Sequence, residues 1–145
     1  MTSTIPIDEL VLTHHFGEDG IVYLSASGKI SNNHLLEFST WTDEVKTLIR
    51  ERAELGDNPI LVLTDITRAT HFERKPVAVL KDMLLYNSQF PIRSTIVGGN
   101  RFAVLMLDSI VSLLGLSALR HFRDKESAQK WLLTKKQFPH AQDSA

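Results

Sequence analysis

The chain contains no cysteine. Disulfide scaffolds, thiolate zinc sites, iron–sulfur clusters and cysteine nucleophiles are therefore excluded. It has no surplus of one charge: sixteen Lys and Arg stand against seventeen Asp and Glu, for a formal net charge of −1. A nucleic-acid coat needs many uncompensated cations, so that class of partner is set aside. No apolar run is long enough to span a bilayer. The longest, Phe102 to Leu116, holds eleven apolar residues in fifteen and includes Asp108, whereas a span needs about 20. Met1 to Leu10 carries Asp8 and Glu9 without an apolar run, which does not read as a secretory signal. The expected location is cytoplasmic.

Signatures of catalysis are also missing. No Gly-x-Ser-x-Gly nucleophile elbow is present. Gly98-Gly99-Asn100 precedes a helical pattern but lacks the Lys-Ser/Thr ending of a P-loop, so it reads as a turn. Asp65 and His71 with Ser94 or Ser112 make a triad only on paper. Asp65 is better placed to bond the backbone of the loop that follows it. His14 and His15 are neighbours, so on a strand they face opposite ways and cannot share a metal. His34, His71, His121 and His140 are scattered, while a metal centre needs three or four converging ligands. The expectation is no enzyme, no metal and no cofactor.

What is present suits one soluble globular domain. The chain has 145 residues and is 43% hydrophobic and 23% charged, enough for a single core and ordinary in composition. Leu10 to His15 and Ile21 to Ser25 are short strand-like runs joined by a segment with two glycines, which reads as a β-hairpin. Gly28 is expected to end the second run. Ser31, Asn32 and Asn33 offer capping oxygens for a helix in which Leu35, Phe38, Trp41, Val45, Leu48 and Ile49 recur at spacings of three and four. Gly56 and Pro59 stop it.

Ile60 to Leu63 is apolar throughout, as in a central strand buried on both faces. Thr67 to Lys75 reads as a loop, and Pro76 as the first turn of a second helix with Val77, Leu80, Met83 and Leu84 inward. Ser94 to Val97 is a strand, Phe102 to Leu114 a helix, and Leu119 to Phe122 an edge strand. Asp124 caps a last helix with Ala128, Trp131 and Leu132 inward. Strand-to-helix alternation implies parallel pairing through right-handed crossovers. The expected fold is α/β: a mixed sheet of about five strands, an antiparallel hairpin at one edge, parallel central strands and about four helices. Residues 1–9 are read as an extension, 10–136 as the domain and 137–145 as a polar tail.

One segment carries a resemblance. From Asp65 to Leu80 the chain reads Asp-Ile-Thr-Arg-Ala-Thr-His-Phe-Glu-Arg-Lys-Pro-Val-Ala-Val-Leu. This resembles, without a gap, the Asp-Leu-Ser-Gly-Val-Thr-Phe-Ile-Asp-Ser-Ser-Gly-Leu-Gly-Val-Leu pattern of STAS domains, the family of anti-sigma-factor antagonists and sulfate-transporter tails. Asp65, Thr70, Val79 and Leu80 are identical to it. Leu113-Leu114-Gly115-Leu116, then Leu119, Phe122 and Glu126-Ser127-Ala128, is similar to the family's later Leu-Thr-Gly-Leu, phenylalanine strand and closing helix. Gly28-Lys29-Ile30 is similar to its early glycine turn. The resemblance spans about Ile21 to Leu133, and the standalone SpoIIAA-like branch is the nearest. It implies a regulatory module without catalysis. Some members of that branch are linked to lipid binding, through a likeness to CRAL-TRIO proteins. The family's phosphorylated serine lies in its Asp-Ser-Ser-Gly tetrad, and here that tetrad is Glu73-Arg74-Lys75-Pro76. Neither serine position carries a hydroxyl, so the resemblance implies the fold without that switch.

Two surfaces are candidates for binding. The segment Asp65, Thr67, Arg68, Thr70, His71, Glu73, Arg74 and Lys75 follows a parallel strand and leads into a helix, where ligands of open α/β sheets bind. Arg68, Arg74 and Lys75 crowd a positive helix end, which costs about 0.3–1 kcal/mol per exposed charge. That suits an anionic partner group, or else a solvated loop with ordinary charges. In the third helix Val104, Leu107, Val111 and Leu114 form the stripe expected to face the sheet. Phe102, Leu105, Met106 and Leu113 then remain as apolar surplus, for a partner, a dimer contact or an apolar groove, or as a wide core stripe. The expected function is protein interaction or self-association through these two surfaces. The alternative is a carrier or sensor of a lipid or other apolar small molecule, with a pocket beneath the third helix.

Overall fold

The computed structural model describes residues 9–115 and 119–135, apart from the side chains of Phe102 and Lys135. Residues 1–8 of the expected 1–9 extension, residues 116–118, and residues 136–145 with the expected 137–145 tail lie outside the described residues. Strands β1 (Val11–Phe16) and β2 (Ile21–Ile30) form the antiparallel hairpin. Helix α1 (Leu35–Glu54) follows a single 3-10 turn, Asn32–His34. Then come β3 (Ile60–Asp65), β4 (Ala69–Phe72), α2 (Arg74–Asn87), β5 (Ile92–Val97), α3 (Arg101–Leu114), β6 (Leu119–Phe122) and α4 (Lys125–Lys135). The main sheet runs β1-β2-β3-β5-β6, and β4 pairs with β2 beside it. Every pairing except the hairpin is parallel.

The sheet has six strands, where about five were expected. The extra one is β4, in the segment expected to be a loop. It exists because β2 does not stop at Gly28. The first half of β2 pairs with β3, from Ile21 against Leu61 to Ser25 against Asp65. Its last residues pair with β4, Gly28 against Ala69 and Ile30 against Phe72, with the register shifting between Gly28 and Lys29. Gly28 makes the change of partner with φ at 86°. A side chain there would meet the Glu9 carbonyl oxygen at 2.0 Å, so no other residue fits. The second helix likewise begins at Arg74, two residues before Pro76.

The alternation of β3 and β5 divides the core in two. On one face Val22, Leu24, Ile60, Val62 and Ile96 pack under α1, α2 and α3. On the other, Ile21, Leu61, Leu63 and Val97 meet Ala128 and Leu132 of α4. The buried residues of α3 are Ala103, Leu107 and Ile110, while Val104 and Val111 are only half-buried. The sheet-facing stripe is thus rotated from the one expected. Gly99 sets the rotation: a β-carbon there would lie 3.3 Å from the Ala103 β-carbon, so Ala103 rests on the turn. Asn100 caps the helix by accepting a 2.8 Å bond from the Ala103 N–H, and Gly115 closes it at φ 68°. Asp124 caps α4, accepting from the Ser127 N–H at 2.8 Å.

In the hairpin, the Tyr23 hydroxyl donates to Asp19 Oδ2 at 2.5 Å and accepts from Gln129 Nε2 at 2.7 Å. Burial, and then the bond to Asp19, raise the Tyr23 pKa above its ordinary 10.0, and Gln129 partly opposes them. The folded state thus favours the neutral phenol. Its contribution to stability is full below about pH 10 and is lost as pH rises through the folded value. Absorbance titration of phenolate is expected to show one of the two tyrosines ionising late, with Asp19→Asn bringing it earlier. For α3, Ile110→Ala is expected to cost about 2–5 kcal/mol in urea unfolding, and Val111→Ala clearly less. Equal losses would return the stripe to its expected position.

Candidate functional site

The segment after β3 is held by one local turn bond and by contacts from distant parts of the chain. Asp65 Oδ1 accepts from the Thr67 N–H at 2.9 Å, which tightens the turn. The Ile66 N–H donates to the Val97 carbonyl at 2.9 Å. The turn rests on the one before α3: a β-carbon on Gly98 would lie 2.3 Å from Thr67 Oγ1 and 2.7 Å from Thr67 Cα. His121 Nε2 lies 2.8 Å from the Gly98 carbonyl oxygen. Because a carbonyl only accepts, that nitrogen carries the proton. The β3–β4 turn and the start of α3 therefore form one packed junction at the C-terminal ends of β3 and β5.

The start of α2 is closed in the same way. Its N-cap, Glu73, makes no side-chain bond to its own helix. Instead Glu73 Oε1 accepts from the Asn32 N–H at 2.7 Å, and Asn32 Oδ1 accepts from the Lys75 N–H at 3.1 Å. The two residues exchange bonds as in a capping box, but from separate parts of the chain. The Glu73 N–H goes to the Ile30 carbonyl, the Val77 N–H goes to Glu73 O, and Pro76 has none. Among the described residues only the Arg74 N–H is left over. An anion at this end must therefore be recognised by side chains. Ser31, Asn32 and Asn33 do not cap α1, whose N-cap His34 makes no side-chain bond to the helix backbone. Ser31 Oγ bonds His34 Nδ1 at 3.1 Å, and Asn32 serves α2.

Those side chains are outward. Thr67, Arg68, Thr70, His71, Arg74 and Lys75 are exposed, and Asp65 and Glu73 half-buried. Among the described ion pairs none includes Arg68, Arg74 or Lys75. His71 Nδ1 lies 3.2 Å from its neighbour's carbonyl, Thr70 O, and Asp65 is spent on the turn. On α3, Leu105 and Leu113 are 60% and 73% exposed. Met106 packs against the core, and the Phe102 side chain lies outside the described residues. The apolar surplus visible on the helix is two leucines, among exposed Asp108, Ser109 and Ser112. Among the described residues no three His, Asp or Glu side chains converge as metal ligands, and no helix is long and apolar enough to cross a membrane.

A groove of about 640 Å³ lies elsewhere, between β1 and α1, with Leu12, Leu36 and Trp41 among its lining and Glu37 and Glu44 beside them. Trp41 Nε1 donates to the Thr13 carbonyl at 3.0 Å and pins the helix to this outer strand. Sequence reasoning passed over the groove. Its one signal is Leu36, an apolar residue on the polar side of α1 that is 77% exposed.

A solved structure shares this arrangement. It is an uncharacterized protein from the DUF3478 family with a SpoIIAA-like fold, from Shewanella loihica PV-4. It matches with a TM-score of 0.54 and 22% identity, over 91% of this chain and 98% of that one. The chain has a SpoIIAA-like fold. No protein-family model matches it, and no curated protein does. Arg74 and Lys75 are the first two residues of α2. Asn32→Ala is expected to cost about 0.5–2 kcal/mol in urea unfolding, the usual range for a lost cap, although Asn32 lies outside α2. No change in stability would show that the α2 terminus does not depend on it.

Proposed function

We propose that the protein is a non-enzymatic interaction module of STAS type, which binds the acidic surface of a protein partner through the segment from Thr67 to Lys75. One observation carries this reading. Arg68, Arg74 and Lys75 are exposed next to a helix N-terminus, and no described ion pair compensates them. Cations at that end are unfavourable by themselves, and a partner's carboxylates reverse the sign. The exposed Leu105, one turn into α3 from the junction, supplies apolar contact beside the loop.

A carrier of an apolar small molecule is the second reading. Its volume argument comes from the groove at β1 and α1, since about 640 Å³ falls within the range of small-molecule sites. Beneath α3, by contrast, Ala103, Leu107 and Ile110 are buried against the sheet.

Two measurements separate the readings. Arg74→Glu with Lys75→Glu is expected to weaken recovery of a protein partner from cells by about tenfold or more, a change of at least about 1.4 kcal/mol, while circular dichroism stays that of the wild type. Undiminished recovery removes the loop from the interface. Native mass spectrometry of the purified chain, followed by lipid extraction, is expected to show no bound apolar species. A stoichiometric one would establish the carrier instead.

A further inference from the structure

The second face of the sheet holds a cluster of hydrogen-bond donors without an acceptor. Arg93 sits on β5 opposite Leu61, whose side chain belongs to the α4 core. Thr95, two residues on, shares that face and stands opposite Arg120 of β6. Parallel register thus brings Arg93 and Arg120 to one side of the sheet, near its β6 edge. Trp131 of α4 covers them. The guanidinium carbons lie 5.1 Å (Arg93) and 5.5 Å (Arg120) from the centre of its ring. Phe122 packs on the same indole at 5.8 Å.

Cation–π attraction stabilises each arginine at this ring, but it answers no N–H. Arg93 Nε and Trp131 Nε1 are both shielded from solvent and lack any partner. Among the described ion pairs neither arginine has a carboxylate. Buried donors of this kind are nearly always matched, and a charged one left unmatched is the costlier case. Two guanidiniums at one indole also repel each other. A water would answer an N–H but leave that repulsion. A negatively charged acceptor removes both costs, and the guanidinium fork is shaped for carboxylate or phosphate oxygens.

We propose that Arg93, Arg120 and the Trp131 N–H form a binding site for an oxyanion, a carboxylate or a phosphate. Arg120 is exposed and Arg93 half-buried, so the ligand meets Arg120 first and reaches Arg93 Nε and the Trp131 N–H, both shielded from solvent, as the side chains over them part. The site is separate from the Thr67–Lys75 surface. Arg93 is the second residue of β5, whose far end, Val97, leads to the junction with that surface.

The indole supplies the readout. The chain has two tryptophans, and the other, Trp41, is buried and bonded to Thr13. The full chain is titrated with inorganic phosphate and, separately, with succinate, at ionic strength held constant with sodium chloride. Tryptophan emission is expected to change saturably, with half-saturation at millimolar concentration or below. The effective anion shows whether the site takes a phosphoryl or a carboxylate group. Arg120→Gln is expected to weaken the response at least tenfold, and Trp41→Phe to retain it. The same anion raises the wild-type melting temperature, because it binds only the folded state, and does not raise that of Arg120→Gln. A response to both anions no different from that to sodium chloride overturns the proposal. So does a saturable response that Arg120→Gln leaves unchanged.

Discussion

Strand β2 has more partners than one strand ordinarily keeps, and the architecture depends on how it satisfies them. Its backbone must bond to β1 along one edge and to two successive strands, β3 and then β4, along the other. A buried strand cannot leave N–H or C=O groups unmatched, so the point where β3 gives way to β4 has to be bridged. Gly28 is that bridge. Its N–H goes to the Arg68 carbonyl at 3.0 Å, its positive φ turns the strand, and its missing side chain admits Glu9. Once β4 is bound to β2, Glu73 is brought to Asn32 and the start of α2 is closed. The candidate loop thus owes its shape to a glycine some forty residues earlier in the chain.

The two faces of the sheet are covered unequally. Three helices share the larger core, and α4 alone serves the smaller. A single short helix shields one strip of that face. At the rim of the strip stand Tyr23, Phe122 and Trp131, aromatic residues packed against the small core, with cations drawn to them: Lys125 at Tyr23, Arg93 and Arg120 at Trp131. Aromatic rings end a core well because one side can be dry while the edge meets polar groups. The same arrangement concentrates positive charge where the helix stops covering the sheet.

Much of the fold was legible because it rests on local chemistry. The run Ile60 to Leu63 is apolar at every position, as a strand covered on both faces must be. Asp124 and Gly115 mark the helix ends where the structure has them. Leu119 to Phe122 is the outer strand expected. The misses have physical causes too. Ala69 to Phe72 carries little strand signal, since its order comes from pairing with β2. Positions 102 to 107 are all apolar, so periodicity could not select which stripe of α3 meets the sheet. The contact between Gly99 and Ala103 selects it. The oxygen of Asn32 was legible as a cap, but the helix that it caps was not.

The order of elements other than β4, the hairpin at one edge, the parallel interior and the helix stops follow from the sequence by itself. Each is decided within a few residues, by periodicity, turn chemistry or a cap. The partner of each strand, the rotation of α3, the exchange between Glu73 and Asn32, and the meeting of Arg93, Arg120 and Trp131 belong to the tertiary structure. In the case of the cap those residues are separated by up to forty-three positions, and no local preference reaches that far. They come together only when the sheet assembles and its backbone bonds must all be satisfied at once. The surfaces available for binding are therefore products of the packing.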